Sequence, residues 1–69
     1  MRNYSGYVIE DKTIERIAFF RCFGEMSDGM KCYHELDAAG EEIEGKWYSM
    51  SKKRINGAVY TIFFLEGME

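Results

Sequence analysis

Cys22, Cys32 and His34 are the residues of this sequence whose types best suit chemistry. Thiolate sulfur and imidazole nitrogen are the ligands zinc prefers, and a thiol beside an imidazole is the pair from which nucleophilic catalysis is built. If the segments holding them form a hairpin around Ser27 in an even register, all three side chains share one face, because alternate residues of a strand do. A closed zinc site would need a fourth ligand, and only carboxylates are near in sequence. In oxidising surroundings the two cysteines could pair with each other instead. Two cysteines are too few for a disulfide framework, so the plainer reading makes them small buried hydrophobes, with no metal and no cofactor. His34 is the single histidine. A pocket of roughly 300 Å³ or more is hard to house beside it in so short a chain, so the expectation is a protein that is not an enzyme.

Gly40 to Lys46 reproduces the glycine and lysine spacing of a phosphate-binding loop. The chemistry fails at three points. Trp47 replaces the hydroxyl residue that would hold magnesium, Glu41, Glu42 and Glu44 repel phosphate, and the segment reads as a connection between strands rather than strand to helix.

Four turn signals divide the chain: Glu10-Asp11-Lys12, Ser27-Asp28-Gly29, Asp37-Ala38-Ala39-Gly40, and Lys53 to Gly57 with its Asn56-Gly57 pair. Asp-Gly and Asn-Gly between apolar runs are hairpin cues, since both residues tolerate positive φ. The segments between are Tyr4–Glu10, Thr13–Phe23, Met30–Leu36, Glu42–Met50 and Ala58–Leu65. They predict an all-β fold, a small five-stranded antiparallel sheet or barrel. The alternative is an α+β fold with a helix near residues 12–23, where Ile14, Ile17, Ala18, Arg21 and Cys22 fall at helical spacing, Asp11 or Thr13 could cap the start and Gly24 the end. That helix would scatter Phe19, Phe20 and Phe23 around its circumference, which favours the strand.

The last segment is apolar on both faces, with Ala58, Tyr60, Ile62 and Phe64 on one and Val59, Thr61, Phe63 and Leu65 on the other. An open edge of that kind templates aggregation. Closure of a barrel would cover it, and so would a second copy of the chain in a homodimer, toward which the reading leans.

The chain has 69 residues, 46% hydrophobic and 16% aromatic, which bounds it to a single domain over residues 1–69 with a marginal core. The first residues lack the apolar stretch of a secretory signal, and no apolar run approaches membrane-spanning length, so the expectation is a cytoplasmic protein with no membrane partner.

Charge points furthest toward function. Lys46, Lys52, Lys53 and Arg54 give the segment 46–54 four bases and no acid, so the rest of a chain of net charge −3 carries −7. An up-and-down order of strands would sort Glu10, Asp11, Asp37, Glu41, Glu42, Glu66 and Glu69 to one end and the basic cluster to the other. The reading that follows is a protein-binding module whose acidic end, Asp37, Glu41, Glu42 and Glu44, blocks a larger partner with a basic surface. A compact, acidic, aromatic-rich chain without a catalytic constellation resembles in profile the inhibitors that mobile elements encode. The alternative is a nucleic-acid-binding domain in which Trp47 and Tyr48 stack on bases while Lys46, Lys52, Lys53 and Arg54 meet phosphates; net acidity weighs against it.

Overall fold

The computed structural model describes residues 3–10 and 13–68. Five strands, β1 (Asn3–Glu10), β2 (Thr13–Glu25), β3 (Lys31–Leu36), β4 (Lys46–Ile55) and β5 (Ala58–Met68), follow one another around a closed barrel. Residues 13–25 are strand, as the spread of phenylalanines favours over a helix. The first expected turn, with Asp11 and Lys12, lies outside the described residues, as does Glu69.

Three features depart from the expected sheet. A meander of five strands brings its last strand back in the same direction as its first, so the closing seam is parallel, with Tyr7, Val8 and Ile9 opposite Ile62, Phe63 and Phe64. Every other junction is antiparallel. The fourth strand begins at Lys46, not Glu42, because Asp37, Gly40 and Gly45 hold residues 37–45 as a loop in which Glu42 makes only an isolated bridge to Leu36. That strand runs on to Ile55, so Lys52, Lys53 and Arg54 belong to it, and the turn contracts to Asn56 and Gly57, both at positive φ. This is the backbone that a two-residue hairpin demands.

Alternation places one residue set inside. Val8, Ala18, Phe20, Tyr33, Tyr48 and Phe63 form the core, with Tyr4, Cys22, Met50 and Leu65 packed against it. Phe20 stacks on Phe63 at 3.8 Å between centroids, while Tyr48 and Tyr33 meet these two rings edge-on at 5.0 and 5.3 Å. Edge-to-face and offset contacts of this kind add about 0.5–1.5 kcal/mol each beyond burial. In a chain too short for a large core, they concentrate its stabilisation in the rings.

Candidate functional site: the loop of residues 37–45

The loop between β3 and β4 is built from Asp37 outward. Its carboxylate accepts the amides of Ala39 and Glu41 at 2.9 and 3.0 Å, its carbonyl accepts the Gly40 amide at 2.9 Å, and its own amide donates to the Glu41 carbonyl at 2.8 Å. Gly40 then takes φ 83°, a conformation that suits glycine. Beyond this turn the chain is pinned back on the barrel. The Ile43 amide donates to the Glu35 carbonyl at 2.7 Å, and Arg21 on β2 donates to the Gly40 carbonyl at 3.3 Å.

Glu42 is the second anchor. Its carboxylate accepts from His34 Nδ1 at 2.9 Å and lies 3.7 Å from the Arg21 guanidinium. The hydrogen bond from His34, assisted by the charges of His34 and Arg21 and opposed by desolvation, holds the Glu42 carboxyl below its ordinary range. The His34 ring is itself stacked on Phe23 at 3.8 Å. On the other side of β3, Glu35 takes a bidentate pair from Arg16 at 2.6 and 2.7 Å. A cavity beside the loop is lined by Arg16, Glu35, Tyr48, Lys46 and the loop residues Ile43 and Glu44.

The four acids marked out by sequence therefore divide. Asp37 and Glu42 shape the loop, whereas Glu41 and Glu44 stand exposed on it. Between them Ile43 projects, 42% exposed. Arg16 and Arg21 were invisible as members of this end, because only the register of β2 on β3, with Phe20 opposite Glu35 and Arg21 opposite His34, brings them there.

The metal-type triad does not assemble. Cys22 lies opposite Tyr33 and packs on the core, while an extra residue, Phe23, shifts the register so that Cys32 lies opposite Gly24. Cys32 shares the outer face with His34, Cys22 does not, and the even register needed for a common face is replaced by this bulge. Burial raises the Cys32 thiol pKa, as do, more weakly, the charges of Cys22, Asp28 and Glu66, which works against a reactive thiolate.

The residues of the alternative site are also separated. Tyr48 is a core residue, so its ring offers no face to a base. Trp47 lies against Gly67, whose missing side chain makes room for the indole. Lys52, Lys53 and Arg54 are exposed farther along β4; six residues at about 3.3 Å each put Lys53 roughly 20 Å from Trp47. Lys53 Nζ sits over the Phe64 ring at 5.7 Å from its centroid. No protein-family model, curated protein or solved structure matches this chain.

Proposed function

We propose that the chain is a small cytoplasmic protein-binding module, able to act as a homodimer, that inhibits a larger partner by seating the loop of residues 37–45 on its basic surface. The observation that carries this reading is the hydrogen bonding within the loop. Its turn and its two anchors are already bonded, so Glu41, Ile43 and Glu44 meet a partner with little ordering left to lose. Preorganisation of this kind raises affinity by reducing the entropy cost of binding. An apolar side chain between two exposed carboxylates suits an apolar slot rimmed by lysine or arginine, with the charges steering approach and Ile43 giving the contact its hold.

The test is affinity capture from the native host with the intact chain and with two variants. A Glu41→Lys, Glu44→Lys double variant should lose the captured protein, with added salt imitating part of the loss, and Ile43→Ser should weaken retention about tenfold or more. Capture indifferent to both variants would overturn the reading.

One observation favours a second reading. From Gly45 to Leu65 the chain holds four bases and no acid. Residues 51–59 of the β4–β5 hairpin are all exposed, with Lys52 and Arg54 on one face of the ribbon and Lys53 on the other. A basic two-stranded ribbon suits a nucleic-acid groove. Retention on duplex or single-stranded DNA that falls with salt, and is lost on reversing these three charges, would support that reading over the first.

A further inference from the structure

The outer face of a closed antiparallel barrel ordinarily meets water and carries polar residues. Here it does not on β2, β1 and β5. The outward positions are Ile17 and Phe19 on β2, Ser5, Tyr7 and Ile9 on β1, and Tyr60, Ile62 and Phe64 on β5. Register sets Ile17, Tyr7 and Ile62 in one row across the three strands. Of these, Ser5 alone lacks a large apolar side chain, and the patch gives way to polar residues at Asn3 and Arg21 on one side and Glu66 on the other. Closure of the barrel seals the edge of β5, but among the described residues no other element covers this face.

Two kinds of relief lie side by side on it. Tyr7, Tyr60 and Ile62, with Ile55 from β4, line an apolar groove of about 240 Å³. Next to that groove Ile17 and Phe19 stand out, 64% and 59% exposed. The groove is large enough for an aromatic side chain, and the face therefore carries both knob and hole. A surface with both features satisfies the requirement of a two-fold interface, in which residue i meets j and j meets i.

We propose that this face binds a second copy of the chain, with Phe19 and Ile17 of each protomer entering the groove of Tyr7, Ile55, Tyr60 and Ile62 on the other. With about 150–250 Å² for a fully exposed large side chain, Ile17, Phe19 and Ile55 at 64%, 59% and 44% exposure, together with the partly exposed Tyr7, Ile9, Tyr60 and Phe64, offer on the order of 500 Å² per protomer, against about 800 Å² in a standard interface. That size suits a dimer in exchange with monomer rather than an obligate one. Lys53 stands on this face, opposite Tyr60 and with its Nζ 5.7 Å from the Phe64 ring centroid, and its long flexible chain lets the ammonium stay in water when the face is covered. The dimer stands on this face alone and does not depend on the reading of the loop of residues 37–45.

Sedimentation equilibrium of the full chain under reducing conditions, from micromolar to millimolar, tests it. The expected mass rises from one chain to two, and ammonium sulfate strengthens the association, opposite to the effect of salt on a charge-steered partner. Phe19→Lys and Ile17→Lys should stay monomeric throughout, with an unchanged circular dichroism spectrum; Phe19→Ser replaces the former if it fails to fold. Val59→Lys, equally exposed but on the opposite face of the hairpin, should dimerise as the parent does. A parent chain monomeric at millimolar concentration, dimerisation that survives both face variants, or its loss in Val59→Lys would each overturn the proposal.

Discussion

Gly6 shows how a single position governs closure. A Cβ placed on it would stand 2.5 Å from the Thr61 carbonyl oxygen and 2.9 Å from the Phe63 ring, so β1 approaches β5 only because no side chain intervenes. Gly24 has nothing within 4 Å of the same imagined atom and an unremarkable φ. Gly6→Ala should therefore cost about 1–3 kcal/mol in urea unfolding, the usual penalty of overpacking, while Gly24→Ala should be neutral or gain up to about 1 kcal/mol through a less flexible unfolded chain. Glu42 supplies a pH signature. Its carboxyl titrates below the ordinary 4.5, first because His34 donates a hydrogen bond to it. A group depressed in the folded state stabilises above its unfolded pKa, and the contribution is lost as pH falls from about 4.5 through the lower folded value. Unfolding midpoints measured across that window should decline in the parent and flatten in Glu42→Gln. Neither role shows in the residue type: Gly6 looks like any strand glycine, and Glu42 like one acid among several.

At the level of elements, the hairpin of β4 and β5 divides into two regimes. Its closed half, near Ile62 to Phe64, is laddered on both sides, to β1 and to β4. Its outer half is laddered only within itself, since β3 meets β4 at Tyr33 and Tyr48 and the β1 ladder stops at Tyr7. Amide hydrogen exchange should accordingly be faster over residues 51–60 than over 62–64, by the difference between local and global opening. The turn at its tip depends on Asn56, held at φ 50°. Asn56→Ala should lower stability by about 1 kcal/mol, the cost of a left-handed conformation for a residue with a Cβ and no side-chain amide, measured by thermal or urea unfolding. Asn-Gly announced this turn in the sequence, and Asp37 and Gly40 announced the one before β4. What the sequence hid was where β4 begins, because Glu42 and Ile43 alternate in a way that also fits a strand, and only the bonds from Asp37, His34 and Arg21 hold them as a loop.

For the whole molecule, closure puts Phe63 at the centre of the ring cluster and Ile62 in the lining of the outer groove with Tyr7 and Tyr60, both nearly inaccessible. Phe63→Lys should leave no folded protein, and Phe63→Ala should lose about 3–5 kcal/mol, most of what a domain of this size holds. Ile62→Lys should also be strongly destabilising, where an ordinary outward position would tolerate it; circular dichroism melts of the three variants decide this. The chain by itself determined the fold class and the number of strands, because alternating apolar runs separated by Asp-Gly and Asn-Gly turns leave few other arrangements; the order of the strands and the closure of the barrel came from the tertiary structure. Only the tertiary structure decided which residues meet. The parallel seam of β1 on β5 follows from closing an odd number of strands. The bulge at Phe23 moved Cys22 away from Cys32 and His34, since one extra residue reverses every facing beyond it. Register alone carried Arg16 and Arg21 to Glu35 and Glu42, and no local pattern encodes a pairing between residues nineteen or more positions apart.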